Sequence, residues 1–130
     1  MLDAKIRDIL EKTYFGVLAT INKDGTPQQT VMWYELIDGR IMMNTEAGRL
    51  KEHNLNRDPR VSVCIEDKYN YVTLTGQATL DYDPERSQAD IARLARRYHQ
   101  PEKAEQLVDS FQKEKRITIW IDIENVVTKF

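Results

Sequence analysis

The sequence is poor in the residues that indicate a disulfide framework or a metal site. It contains one cysteine, Cys64, and two histidines, His53 and His99. A single cysteine cannot form an internal disulfide, and these three side chains do not make a recognisable zinc ligand set. No secretory pattern opens the chain, so a reducing cytoplasm is the expected location.

Long apolar runs and an excess of one charge are also missing. No run approaches the roughly 20 apolar residues that a membrane-spanning helix needs, so no membrane association is expected. The formal net charge is −2, which gives no basic field for nucleic acid. Hydrophobic residues make up 41% and charged residues 31% of 130 residues, a balance that predicts one globular domain over residues 1–130 with its own core.

The common catalytic motifs are absent as well. The sequence has no G-x-S-x-G nucleophile turn, no P-loop and no G-x-G-x-x-G fingerprint. These absences leave the catalytic residues unassigned, so candidate functional residues have to be sought in the predicted strands and helices.

Alternation and turn signals predict six strands, at residues 15–21, 26–36, 40–44, 61–65, 71–81 and 117–124. The dipeptides Asp24-Gly25 and Asp38-Gly39 are typical of hairpin turns. Helices are predicted over residues 2–12, from a Thr45 N-cap towards Asn54, from Asp83-Pro84 and from Gln100-Pro101. This order predicts a mainly β, six-stranded antiparallel barrel, closed or split, with short flanking helices.

The segment Asn44-Thr-Glu-Ala-Gly-Arg-Leu-Lys51 is the first candidate site, since it follows a strand and opens a helix. A helix N-terminus offers free N–H groups to a phosphate, and Arg49 and Lys51 add positive charge nearby. From the residues alone, however, two solvated helix charges are the commoner arrangement.

The predicted strand over residues 26–36 is the second candidate. It places Gln29, Val31 and Trp33 on one face and Thr30 on the other. Amides mixed with aromatic side chains suit a flat heteroaromatic ligand, but they equally fit a barrel strand with a polar outer face.

Three further features have both a binding and a structural interpretation. Tyr69 and Tyr71 flank Asn70 and either line a pocket mouth or form an ordinary loop. Trp120 interrupts a polar stripe and is expected to pack against a partner or a bound ring. Arg93, Arg96 and Arg97 form a basic patch. This patch is expected either to contact an anionic group or to be simply solvated.

Several motifs in order resemble the pyridoxamine 5'-phosphate oxidase-related superfamily. They are Gly16-Val-Leu-Ala-Thr-Ile21, Asp24-Gly-Thr-Pro-Gln28, Val31-Met-Trp-Tyr34, Arg49-Leu-Lys51, Asn54-Leu-Asn-Arg-Asp-Pro-Arg60 and Gly76-Gln-Ala78. The chain is most similar to the flavin and deazaflavin branch, whose members often use coenzyme F420. This resemblance implies an FMN-binding-like split β-barrel that forms a homodimer, with the cofactor in the groove between subunits.

The resemblance also assigns cofactor-binding positions. Arg49 and Lys51 match the phosphate position, Asn44 and Thr45 the phosphate and ribityl end, and Gln29, Thr30, Val31 and Trp33 the strand along the ring, with Tyr69 and Tyr71 as further matches. The chain lacks the C-terminal Arg-x-His segment of true pyridoxamine phosphate oxidases and ends Val126-Val-Thr-Lys-Phe130. Pyridoxamine phosphate is therefore not the expected substrate.

Three functions follow from this resemblance. The first is hydride transfer between coenzyme F420 and a small unsaturated or heteroaromatic organic substrate. The second keeps the fold but uses FMN, as a flavin reductase or oxidase. The third is a non-enzymatic protein that only binds the cofactor. A longer anionic tail distinguishes F420 from FMN, so free cations such as Arg93, Arg96 and Arg97 would favour F420.

Overall fold

Residues 2–130, which the computed structural model describes, form seven strands and four helices. The strands are β1 Gly16–Ile21, β2 Pro27–Met32, β3 Glu35–Ile37, β4 Arg40–Glu46, β5 Arg60–Asp67, β6 Asn70–Asp81 and β7 Arg116–Lys129. The helices are α1 Ala4–Leu10, α2 Leu50–Arg57, α3 Pro84–Tyr98 and α4 Pro101–Phe111. None of the helices within this part of the chain is long and apolar enough to cross a membrane.

The strands form one antiparallel sheet in the order β2-β1-β5-β6-β7-β4-β3. This confirms the predicted mainly β, antiparallel architecture with short helices. The predicted number of six strands is wrong. Strands β2 and β3 occupy opposite edges and do not pair within residues 2–130, so the sheet does not close into a barrel.

The seventh strand arises because the strand predicted over residues 26–36 is interrupted at Trp33 and Tyr34. The Tyr34 amide donates a hydrogen bond to the Tyr98 hydroxyl at 3.1 Å, and its carbonyl accepts one from Arg97 Nε at 3.1 Å. Both partners belong to α3, so Tyr34 is unavailable to a strand neighbour. The chain therefore leaves β2 at one edge of the sheet and begins β3 at the other.

Replacing Tyr98 with phenylalanine tests this account of the interruption. The hydroxyl also donates to the Tyr14 carbonyl, so its removal leaves buried backbone groups without partners, and we expect a loss of about 1–3 kcal/mol in the free energy of unfolding. Urea denaturation measures the loss. Tyr82→Phe is the matched control, because the Tyr82 hydroxyl bonds Asn56 and Glu52 at the surface; an equal loss in both variants would contradict the account.

The Thr45 N-cap prediction is wrong. Strand β4 continues through Thr45 to Glu46, because this segment remains paired with β7. Helix α2 begins at Leu50 instead, with Arg49 at its N-cap position. Helix α3 begins as predicted, with the Asp83 side chain accepting a hydrogen bond from the Arg86 amide at 2.8 Å.

Strand β4 is buried on both faces and separates two parts of the core. Ile41 and Met43 pack into the main core beneath the sheet, whereas Met42 packs against α3. Trp120 packs against the cluster that contains Met42, and the Arg40 guanidinium lies over its ring, 4.3 Å from the ring centroid. Trp120 therefore packs within its own chain.

Candidate functional site

A cleft of about 240 Å³ lies where the end of β2 faces helices α3 and α4. Its walls are mostly apolar and aromatic, with one amide and one guanidinium: Phe15, Val31, Met32, Trp33, Asn44, Ile91, Leu94, Phe111 and Arg116. A cleft lined mainly by apolar and aromatic residues, with a few polar groups, is typical of sites for small organic ligands.

Two of the four residues predicted to lie along a ring line this cleft, namely Val31 and Trp33. Val31 is 65% exposed on the outer face of the sheet. Gln29 is exposed on the same face but does not line the cleft, and Thr30 points the other way and accepts a hydrogen bond from Gln28 Nε2 at 2.8 Å. The strand therefore contributes to the cleft mainly through the residues at its C-terminal end.

The aromatic wall of the cleft is held by stacked rings. Trp33 stacks on Tyr98 with centroids 5.5 Å apart and meets Phe111 edge-on at 6.3 Å. Phe15 stacks on the same Tyr98 at 5.6 Å yet remains 56% exposed. Sequence reasoning missed Phe15 and Phe111, because each comes from an element remote in sequence from Trp33.

Asn44 lines the cleft, but its side chain is fully used in holding other groups. Its Nδ2 donates to the Ser87 carbonyl at 2.9 Å and to Thr118 Oγ1 at 3.3 Å, and its Oδ1 accepts from Arg116 Nε at 3.0 Å. The neighbouring Thr45 is buried within β4 and does not line the cleft. Asn44 is therefore placed to orient Arg116.

The predicted cations Arg49 and Lys51 lie beside the end of β4. Arg49 is largely exposed and contacts Glu46 at 3.4 Å. Lys51 is only 9% exposed and makes no hydrogen bond or salt bridge within residues 2–130. Burial lowers the pKa of Lys51, and the positive charges of Arg49 and Arg116 lower it further. An ammonium on a mostly buried side chain beside two guanidinium groups is stabilised by an added anion.

The N-terminus of α2 contributes less than the sequence suggested. The Gly48 amide, one residue before the Arg49 N-cap, donates to the Glu52 carboxylate at 2.7 Å. A carboxylate of the protein itself thus occupies part of the helix end. The side chains of Arg49 and Lys51, rather than the helix end, provide the positive charge here.

Arg116 is the cation that sequence reasoning missed. It begins β7, pairs in register with Glu46 and lines the cleft. Its guanidinium lies 4.7 Å from the Phe111 ring centroid. The sequence shows only that Arg116 stands immediately before the isoleucine-rich strand. Its closeness to Arg49 and Lys51 depends on the pairing of that strand with β4.

Tyr69 and Tyr71 do not line the cleft of their own chain. Tyr69 is 87% exposed at the tip of the β5–β6 hairpin. Tyr71 is on the outer face of β6, opposite Glu66 and Lys129. A second cavity of about 570 Å³ lies nearby and shares Phe15 with the cleft, but Glu66 and Asp67 make it acidic and unsuited to a phosphate.

The basic patch on α3 has internal partners. Arg93 forms a two-point ion pair with Glu35 at 2.8 Å, and Arg96 one with Glu105 at 2.9 Å. Arg97 donates to three backbone carbonyls, those of Tyr34, Glu11 and Lys12. These guanidinium groups therefore tie elements of the fold together and do not form a row of free cations.

Comparisons with known protein families and solved structures agree on the family of this chain. Residues 2–130 match the protein family described as pyridoxamine 5'-phosphate oxidase. The chain is 34% identical to a conserved hypothetical protein of Mycobacterium tuberculosis, with a TM-score of 0.82 over 98% of this chain and 84% of that one.

Two further solved structures share the fold at lower identity. One, an F420 reductase, is 24% identical with a TM-score of 0.75, over 93% of this chain and 94% of that one. The other, a putative pyridoxamine 5'-phosphate oxidase of Listeria innocua, is 23% identical with a TM-score of 0.74, over 98% of both chains.

Proposed function

Because the chain belongs to the pyridoxamine 5'-phosphate oxidase family, we propose that it is an oxidoreductase that transfers a hydride between coenzyme F420 and a small unsaturated or heteroaromatic organic substrate. The observation that supports this proposal is the cleft itself. Its aromatic wall, with Val31 and Trp33, suits a flat heteroaromatic ring.

The residues present fit a flavin-type cofactor. Such a cofactor supplies the hydride-carrying carbon, while the protein binds it, orients it and excludes water. We assign the ring to the wall formed by Val31 and Trp33. We assign the phosphate to Arg49 and Lys51, which do not line the cleft themselves but lie close enough to Arg116 for their charges to interact. The stacked Tyr98 keeps the Trp33 indole in place, which limits the ordering cost of binding.

A homodimer is part of the proposal. A cleft of about 240 Å³ is smaller than the roughly 300–1,000 Å³ of typical ligand sites, which supports a site that a second copy of the chain completes. One row of side chains crosses the outer face of the sheet, in register, from β2 to β7: Val31, Val17, Cys64, Thr73 and Val127. We call this set the outer row.

The outer row suits a second copy of the chain. Val31 and Val127 are 65% and 53% exposed, and exposed apolar rows of this kind are typical of interaction surfaces. Val31 belongs both to the outer row and to the cleft, so a partner bound there would also close the cleft. Tyr71 lies on the same face, and in the dimer we expect it and Tyr69 to reach the partner's cofactor.

FMN is the alternative cofactor, and one observation favours it. Arg93, Arg96 and Arg97 are bound to carboxylates and carbonyls of the protein. They are therefore not free to hold the longer anionic tail of F420, whereas FMN requires only the ring wall and the phosphate cations.

Separate calorimetric titrations with coenzyme F420 and FMN test the proposal. Tighter binding of F420, together with substrate turnover by the loaded protein, is the expected result. Tighter binding of FMN selects the alternative cofactor. Binding without turnover of any substrate would indicate a cofactor-binding protein, and no binding of either compound would overturn the proposal.

A further inference from the structure

We propose that Arg116 is a third phosphate-binding cation of this site, and that Asn44 and Glu114 position it. The inference deepens the proposed function and rests on it. It adds a binding residue from the last strand, about 65 residues along the chain from Arg49 and Lys51.

The strand register places Arg116 next to the predicted cations. Arg116 lies opposite Glu46 in the β4–β7 ladder, and the pairing continues outward, where the Ala47 amide donates to the Lys115 carbonyl at 2.8 Å. Arg49 contacts the same Glu46. The end of the two strands therefore holds the three cations together, and Arg116 is the one that also lines the cleft.

Two charged or polar partners fix the guanidinium of Arg116. Its Nε donates to Asn44 Oδ1 at 3.0 Å and its Nη1 to Glu114 Oε1 at 2.8 Å. The side chain is only 10% exposed. Its Nη2 makes no hydrogen bond to any group in residues 2–130, so the planar fork retains donors for a ligand.

Asn44 is itself held in one orientation. Its Nδ2 donates to the Ser87 carbonyl and to Thr118 Oγ1, which leaves Oδ1 facing Arg116. Thr118 Oγ1 in turn donates to Asp90 at 2.7 Å. This chain of hydrogen bonds connects α3 to the guanidinium, so Asn44 is a positioning residue that acts through Arg116.

The local charge balance favours an added anion. Arg49 pairs with Glu46 and Arg116 with Glu114, whereas Lys51 forms no ion pair within residues 2–130. Burial lowers the pKa of both Lys51 and Arg116. A phosphate group would give Lys51 an anionic partner and accept hydrogen bonds from the free donors of Arg116.

Four variants test the inference: Arg116→Gln, Arg116→Lys, Asn44→Leu and the control Arg96→Gln, which removes an ion-paired arginine on α3. The ligand is FMN or coenzyme F420, whichever the wild-type protein binds more tightly. We expect Arg116→Gln to weaken binding by roughly 10–100-fold, Asn44→Leu by roughly tenfold, and Arg116→Lys by less than Arg116→Gln, because it keeps the charge. Arg96→Gln should bind as the wild type does.

Inorganic phosphate provides a readout that does not depend on the cofactor. Phosphate is expected to raise the Tm of the wild-type protein above its value in chloride of equal ionic strength, because it binds the folded state. We expect this rise to be lost in Arg116→Gln and partly restored in Arg116→Lys. A purely structural role for Arg116 would lower the Tm in both salts and leave the phosphate-dependent rise unchanged.

The outcomes separate this inference from the proposed function. If the wild-type protein binds neither FMN nor F420, the proposed function fails. If it binds one of them and Arg116→Gln retains wild-type affinity, only the inference about Arg116 is overturned. If Arg116→Gln does not fold, Arg116→Lys decides: unchanged cofactor affinity and an unchanged phosphate effect would contradict a contact between the guanidinium and the phosphate.

Discussion

Replacing both Arg49 and Lys51, as Arg49→Gln and Lys51→Met, is expected to weaken cofactor binding by about 100- to 10,000-fold. Each charge-assisted contact to a phosphate is worth about 1.5–3 kcal/mol, and about 1.4 kcal/mol corresponds to a factor of ten. Lys51 is expected to contribute the larger share, because its side chain is mostly buried and its ammonium makes no ion pair within residues 2–130, whereas Arg49 already contacts Glu46. Isothermal titration calorimetry on the single and double variants measures both shares.

Methionine at position 51 keeps the volume of the lysine stem but removes the charge. Because burial and like charges disfavour the ammonium in the folded state, we expect the ligand-free Tm to stay the same or rise. A variant that lost both affinity and stability would indicate a packing role instead. Arg96→Gln removes an arginine that is paired with Glu105 and serves as the charge-matched control.

The same titration has a pH dependence with a definite sign. The pKa of Lys51 is lowered in the folded protein, so its charge is fully present at low pH and is lost as pH rises through that lowered pKa. The affinity for the cofactor should therefore decrease with rising pH, and this decrease should begin at a lower pH than it would with a lysine of ordinary pKa. The Lys51→Met variant should lack this step.

Replacing Val17 with glutamate is expected to convert the protein to a monomer. Val17 is the second member of the outer row and lies between Val31 and Cys64 on neighbouring strands. A carboxylate buried there without a partner in the dimer would cost several kcal/mol, enough to abolish association at micromolar concentration. Sedimentation velocity measures the change, and cofactor affinity should fall with it.

Thr79→Glu provides the control for this change. Thr79 is an exposed residue of β6, six positions from Thr73 and thus roughly 20 Å along the strand from the outer row. It should leave the oligomeric state unchanged. A wild-type protein that sediments as a monomer, or a Val17→Glu protein that remains dimeric, would show that the outer row is not the interface.

Features encoded locally were predictable from the sequence. Strand β6 alternates cleanly between buried and exposed residues, and the Asp83-Pro84 pair begins α3 as expected. The two Asp-Gly turns connect β1 to β2 and β3 to β4. In each case the signal lies within a few residues of the structure that it specifies.

Features that depend on distant partners were not predictable. Strand β2 stops at Met32 because the backbone of Tyr34 bonds to Tyr98 and Arg97, more than 60 residues later. Strand β4 runs through Thr45 because β7 pairs with it there. Local propensity favoured a long strand in the first case and a helix cap in the second, and tertiary pairing overrode both.

The candidate site shows the same division. The resemblance predicted Arg49 and Lys51 as phosphate-binding residues, which stays a prediction. The strand period predicted Val31 and Trp33 on one face, and both line the cleft although Trp33 lies beyond the end of β2. Arg116 and Phe15 come from opposite ends of the chain, and only the folded sheet brings them to the cleft. The ion pair between Arg93 and Glu35 likewise could be recognised only in the folded structure.

The most direct test is a crystal structure of the protein with bound FMN or coenzyme F420, whichever binds more tightly. The account predicts the ring against Val31 and Trp33, and the phosphate within hydrogen-bond distance of Arg49, Lys51 and Arg116. A cofactor bound elsewhere, or one whose phosphate contacts none of these three side chains, would contradict it.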